Sequence, residues 1–193
     1  MSNETSKSVL RRLHDSRFAT KYFVGKGIDI GCGQDCIGKY AELFPLMQDV
    51  KPWDANDGDA QKMLGIADGA YDFVHSSHCL EHLIDPFEGL KNWFRILKPG
   101  GHMVVMVPDE DLYERGIFPS ISNPDHKWTF TTWKKQSWSS CSINLLYLLQ
   151  TLGDSAEILK VEVLDASYLP SAYKQDQTLG IGECAIEFIL RRK

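Results

Sequence analysis

Three histidines and an acid crowd one short stretch of this 193-residue chain, as His75, His78, Glu81 and His82. His78, Glu81 and His82 stand at i, i+3 and i+4, which puts them on one face if the segment turns helically. A later loop adds His126, set among acids and aromatics. Imidazole changes charge near neutral pH, so such a cluster can take a proton from a bound hydroxyl. Residue types alone leave three uses open. The side chains can hydrogen-bond backbone and hold their own loop, one histidine can be a general base, or the group with His126 can hold a divalent ion.

A second set of chemistry-bearing residues runs Gly27-Ile28-Asp29-Ile30-Gly31-Cys32-Gly33-Gln34-Asp35. Ile28 and Ile30 suit a strand packed on both faces, and Gly31 and Gly33 allow a sharp turn that a ligand can approach closely. Asp29 inside that strand needs a polar partner, because a buried lone carboxylate is costly. A strand carrying an acid and running into a glycine turn suggests a nucleoside cofactor at the carboxyl edge of a parallel sheet.

The elements that must position these residues alternate in kind. A helix is expected over residues 5–15, with Val9, Leu10 and Leu13 on its apolar face and Arg11 and Arg12 elsewhere. After the glycine turn, Ile37 to Phe44 suits a helix ending before Pro45, and Val50 to Asp54 a short strand ending in an acid. Tyr71 to His75 is a strand. Asp85-Pro86-Phe87-Glu88 opens a helix with a cap, a first-turn proline and a capping-box glutamate, and Gly100-Gly101 close it. Met103 to Val107 is a buried strand, Ile143 to Leu152 a helix, and Ile158 to Leu164 and Ala185 to Leu190 two further strands. Residues 109–138 break the pattern and read as a long ordered loop or lid.

Composition narrows the class. A hydrophobic content of 43% and a charged content of 24% fit one ordinary globular domain over residues 1–193. A net charge of −5 gives no general attraction for nucleic acid or an anionic membrane. No apolar run approaches the ~20 residues that span a bilayer, and the start, Met1 to Lys7, is polar. Five scattered cysteines without a C-x-x-C read as free thiols in a reducing, cytoplasmic setting.

With these pieces placed, the chain resembles the class I S-adenosylmethionine-dependent methyltransferases. Gly27 to Gly33 matches that family's first motif, and Asp54 follows Asp29 by 25 positions, where the family has an acid ending its second strand. Asp59-Ala60 resembles the adenine-binding motif, and Tyr71-Asp72-Phe73-Val74 with Leu80-Glu81-His82-Leu83 the fourth-strand region. Leu97-Lys98-Pro99-Gly100-Gly101 is the most specific string, the usual lead into strand five. The resemblance implies an α/β, Rossmann-like sheet of seven strands with helices on both faces. Its last strand, near residues 184–190, would run antiparallel between strands at 158–164 and 103–107.

The same resemblance implies S-adenosyl-L-methionine as cofactor and S-adenosyl-L-homocysteine as product. The cofactor contacts would be Asp29, Gly31, Cys32, Gly33, Asp54, Asp59, Ala60 and His75. Asp29 and the turn backbone would meet the amino-acid end, Asp54 the ribose hydroxyls, and Asp59 and Ala60 the adenine. Asp35 stands where the motif usually has its third glycine. A dinucleotide site would want a glycine at Cys36.

Residues 75–82 with Asp125-His126-Lys127-Trp128 resemble bacterial methyltransferases associated with surface polysaccharides. A small polar or carbohydrate acceptor is therefore expected, with His126 as base, His78 and His82 supporting it, residues 109–138 as the acceptor loop, and residues 1–24 as an N-terminal cover. No metal, nucleic acid or membrane partner is expected, and oligomeric state is open. The rivals are a non-catalytic cofactor-binding module and a metal-assisted RNA 2′-O-methyltransferase. The latter's E-x-x-E-H pattern is met here with His78 in place of the first acid.

Overall fold

The computed structural model describes residues 4–193, and Met1 to Asn3 of the polar start lie outside the described residues. Helix α1 (Glu4–Arg12) leads through a tight aromatic turn, Phe18–Tyr22, into β1 (Gly25–Ile30). Strands β2 (Met47–Trp53), β3 (Tyr71–Ser77) and β4 (Leu97–Pro108) follow, with α2 (Pro86–Arg95) between the last two. Two short strands, β5 (Thr129–Thr131) and β6 (Ser142–Asn144), precede α3 (Leu145–Gln150), and β7 (Ala156–Leu164) and β8 (Ala185–Arg192) complete the order.

The main sheet runs β2-β1-β3-β4-β8-β7, with β8 antiparallel to both of its neighbours. The antiparallel last strand thus lies between β4 and β7, as the resemblance implies. Among the described residues the main sheet has six strands, not seven. Residues 54–70 hold turn formers such as Asn56, Gly58, Gly65 and Gly69 and no alternating run, and they fold as turns. Residues 109–144 add only the separate parallel pair β5–β6.

Alternation sorts the sheet into two faces. Ile28, Ile30, Val74, Met103, Val105 and Phe188 pack against α2 and α3. Phe73, Val104 and Ile189 pack on the other side against Val9, Phe18, Phe23, Ile37 and Phe44. Helix α2 is well marked in sequence: Asp85 accepts from the amides of Phe87 and Glu88, and Pro86 sits in the first turn. Glu88 does not close a capping box, because its side chain pairs with Gln61 and Lys62 instead. The helix ends at Arg95, so Gly100 and Gly101 fall in the irregular start of β4 and not in a helix cap. Ile37–Leu43 is a kinked 3₁₀ turn and not an α-helix. The kink lies at Tyr40, whose φ of −107° and ψ of 19° leave the helical region.

The α1 face is the main departure from the amphipathic expectation. Val9 is buried, but Leu10 is 71% and Leu13 45% exposed, whereas Arg12 is fully buried. The helix turns its arginine inward because Glu187 of β8 waits on the same sheet face. Glu187 accepts from Arg12 Nη2 at 2.8 Å, from Arg11 Nη1 at 2.9 Å and from Lys160 Nζ at 3.1 Å. Burial alone would raise this carboxyl, but the three cations hold it well below the usual range.

Removing one partner of a buried pair strands the other charges. Glu187→Gln is expected to cost about 3–5 kcal/mol in urea unfolding. A loss under about 1 kcal/mol would show that the arginines find other partners.

Candidate active site

The glycine turn after β1 sets the floor of a cleft at the carboxyl ends of β1, β2 and β3. Gly31 and Gly33 both have positive φ, +72° and +52°, a conformation that side chains disfavour. The Gly31 amide donates to Trp53 O at 2.8 Å, which fastens the turn to the end of β2. A Cβ on Gly33 would meet nothing closer than Asp54 Oδ2 at 4.0 Å, so the turn backbone lies open to a ligand. One cavity of about 640 Å³ is bordered by Gly31, Asp54, Asp59, Ala60 and Cys79. A second, of about 390 Å³, is bordered by Cys32, Gly33, Ser77, Tyr113 and His126. Gly31, His78 and His82 line both. The largest cavity lies elsewhere, beside α3 and β6, and shares none of these residues.

Of the expected cofactor contacts, Gly31, Cys32, Gly33, Asp54, Asp59 and Ala60 come together here. Asp29 and His75 do not line either cavity. Strand alternation turns both to the α1 face, where they are fully buried in register with each other. Asp29 Oδ2 accepts from the Ile37 amide at 2.6 Å, and Oδ1 meets His75 Nδ1 at 2.7 Å. His75 Nε2 lies 3.0 Å from Arg12 Nη1. A guanidinium only donates, so Nε2 accepts, and the proton of this neutral ring sits on Nδ1 facing Asp29. Asp29 and His75 therefore brace the glycine turn from beneath and line neither cavity. Trp53 is likewise packed, with Lys51 Nζ 4.9 Å from its ring centroid.

Asp35 stands at the third-glycine position for a visible reason. Its carboxylate accepts from the Ser6 amide at 2.8 Å and from Tyr40 Oη at 2.7 Å, which seats the start of α1 on the turn. Glu4 and Thr5 of α1 consequently wall the second cavity.

The histidine cluster closes the other side. Leu80–His82 forms one 3₁₀ turn, and His78 holds a positive φ of 53°, a strained state for a residue with a side chain. Burial pushes the His78 imidazole down to about 3. His126 Nδ1 lies 2.6 Å from Glu114 Oε1, and the His126 ring stacks on Tyr113 with centroids 5.2 Å apart. His82 Nδ1 lies 2.9 Å from Asp125 Oδ2. The loop carrying His126 is pinned in place: the Lys127 amide donates to Glu81 O at 2.9 Å, and Trp128 Nε1 to Leu83 O at 3.0 Å. Further along, Glu110 gathers Lys134, Ser137 and Ser142 around one buried carboxylate. Glu81, Glu110 and Glu114 were not singled out as a group by spacing, and the acids of residues 109–114 were the only sequence signal for the last two.

Residues 4–143 match the family model described as a methyltransferase domain. The chain belongs to that family and is an enzyme of this kind. It is similar in fold to a SAM-dependent methyltransferase from Archaeoglobus fulgidus, at 19% identity, TM-score 0.59, and coverage of 99% of this chain and 95% of that one. An S-adenosylmethionine-dependent methyltransferase from Mesorhizobium loti aligns at 16% identity and TM-score 0.61, covering 94% and 96%. The plantazolicin methyltransferase BpumL, solved with SAH, aligns at 14% identity and TM-score 0.62, covering 98% and 85%. No curated protein matches the sequence.

The buried imidazoles give the fold a pH dependence. Burial lowers His78 to about 3 and His102 to about 4. The unfolded chain binds those protons near 6.5, so stability is fullest above that value and falls as pH drops from about 6.5 toward 4. His102→Gln is expected to flatten this decline in urea midpoints between pH 7 and 4.5, and an unchanged slope would assign it to other groups.

Proposed function

We propose that this methyltransferase delivers its methyl group to an oxygen of a small polar acceptor, a carbohydrate in the first instance. The donor is S-adenosyl-L-methionine, whose sulfonium supplies an electrophilic methyl group, and the product is S-adenosyl-L-homocysteine. The open backbone of Gly31 to Gly33, the acid Asp54 across from it and the Asp59-Ala60 pair fit an amino-acid end, a ribose and an adenine. The single observation that carries the acceptor reading is the second cavity. It opens from the cofactor groove through Gly31, His78 and His82 and is walled by imidazoles, Tyr113 and Asn123. Such a lining pairs hydroxyls and offers an aromatic ring to a sugar face, and it gives a greasy acceptor little to bury against.

A hydroxyl is a poor nucleophile at neutral pH, so the cluster must draw off its proton as the new bond forms. Glu114 fixes the proton of His126 on Nδ1, which leaves Nε2 with a lone pair for that work. His78 and His82 flank the same space. The pinned loop 126–128 holds these rings in place, so alignment with the methyl group adds to their effect.

Calorimetry is expected to give saturable heat with both sulfur compounds and none with NAD. Asp54→Ala should weaken S-adenosyl-L-homocysteine binding by at least about tenfold, the loss of a charged hydrogen bond. Full affinity in that variant would remove Asp54 from the ribose site.

Incubation with methyl-labelled cofactor and a panel of nucleotide sugars, glycans, small acids and RNA tests the acceptor class. Label on a sugar oxygen supports the proposal, and label on RNA alone overturns it. His126→Gln is expected to lower turnover by about a hundredfold or more with cofactor affinity unchanged. Near-normal turnover would take His126 out of the reaction.

A further inference from the structure

Glu81 is the least explained residue of the cleft. It is fully buried, yet neither carboxylate oxygen has a hydrogen-bond partner. Burying an acceptor without a donor is costly, and a native fold rarely leaves one so. Three imidazole nitrogens surround Oε1 instead: His78 Nδ1 at 3.6 Å, His82 Nε2 at 3.8 Å and His126 Nε2 at 3.8 Å. All are too far for a hydrogen bond.

The far sides of two of these rings make the arrangement specific. His82 Nδ1 faces Asp125 and His126 Nδ1 faces Glu114, each a carboxylate that accepts. A carboxylate at Nδ1 favours the tautomer that carries its proton there, and both Nε2 atoms point at Glu81 Oε1. A positive centre between them would meet all three at once. An imidazole whose Nδ1–H is held by a carboxylate while Nε2 points inward is also the usual posture of a metal-ligating histidine.

We propose that Glu81, His82 and His126 hold a divalent transition-metal ion, with an open position toward the acceptor cavity. The ligand atoms of these three residues all lie within 4.8 Å of one another. Ligands on a tetrahedral ion with bonds of about 2.1 Å stand about 3.4 Å apart, so the 3.8 Å contacts need to close by only a few tenths of an ångström. Two imidazoles and one carboxylate favour zinc and its first-row neighbours over magnesium or calcium, which want oxygen donors. Asp125 and Glu114 act as positioning residues, and His78, next to the trio, borders the open side. This replaces the sequence-based expectation of no metal. Resting on the proposed transfer to oxygen, it also gives the cluster a manner of working: with His126 as ligand in place of a lone base, the ion would acidify a bound acceptor hydroxyl so that its proton passes to water, and the oxygen would take the methyl group as the S–CH3 bond breaks and S-adenosyl-L-homocysteine leaves.

The test uses full-length protein without a histidine tag, stripped with a chelator and titrated with zinc and, separately, cobalt. About one equivalent is expected to bind, with cobalt giving the visible absorption of a four- or five-coordinate site. Glu81→Gln and His126→Gln should each lose stoichiometric binding, and Asp125→Asn should weaken it about 10- to 100-fold. The more exposed His82→Gln guards against misfolding of the buried variants, with circular dichroism run on all four. Absence of binding, or equal affinity in wild type and Glu81→Gln, would overturn the site. S-adenosyl-L-homocysteine binding is measured on the same samples. Ion failure with that binding intact sinks only the metal, and a bound ion without it sinks the transferase reading.

Discussion

The cleft depends on a buried polar chain that begins at the Ile37 amide and passes through Asp29, His75, Arg12 and Glu187. Every side chain in it is fully buried, so each link has to satisfy the next. Its direction is fixed by one fact, that a guanidinium cannot accept a hydrogen bond. Arg12 therefore dictates the tautomer of His75, His75 donates to Asp29, and Asp29 is left free to hold the segment that follows the glycine turn. A ligand-binding loop at the end of a strand is thus braced from beneath by a helix that touches the strand on its far side.

Around that brace the cleft has two kinds of wall. The cofactor side is mostly backbone and short acids, rigid because Gly31 is bonded to β2 and Cys79 packs beneath it. The acceptor side is made of long polar side chains oriented by carboxylates: Glu114 for His126, Asp125 for His82, and Glu110 for the loop between β5 and β6. The first wall needs little specificity beyond shape, whereas the second places lone pairs. In the proposed function, the loop residues that would set acceptor specificity fall within 109–144, which hold little regular structure besides β5 and β6.

Much of this frame was legible in the sequence for local reasons. Ile28, Ile30 and the Met103 to Val107 run carry strand signals that no tertiary contact had to supply, and Asp85-Pro86 marks a helix start by chemistry alone. What sequence could not give depended on distant pairing. Local pattern puts Arg12 on the polar side of a surface helix and Leu10 on its core face, because the partner that draws Arg12 inward lies far along the chain in β8. For Asp29 and His75 the motif supplies the neighbourhood but not the direction, which strand alternation decides. The seventh strand failed because residues 54–70 lack any alternating run. The histidines were visible as a cluster, but the orientation of their rings belongs to Glu114 and Asp125, which sequence spacing does not connect to them.

The brace joins residues far apart in the chain, with Arg12 and Glu187 separated by 175 positions. On a ribosome, the strand that carries Glu187 emerges long after the helix that carries Arg12. Until then α1 has no anchor for its two arginines, and the wall formed by Glu4 and Thr5 cannot settle. The glycine turn, made before β8, must wait for that strand before its cavity closes. Contacts of such long range are also the slow ones to form. A nascent chain with the nucleotide-binding motif already exposed is therefore not yet a receptor for the nucleoside, and premature release of a shortened chain leaves a motif without a pocket.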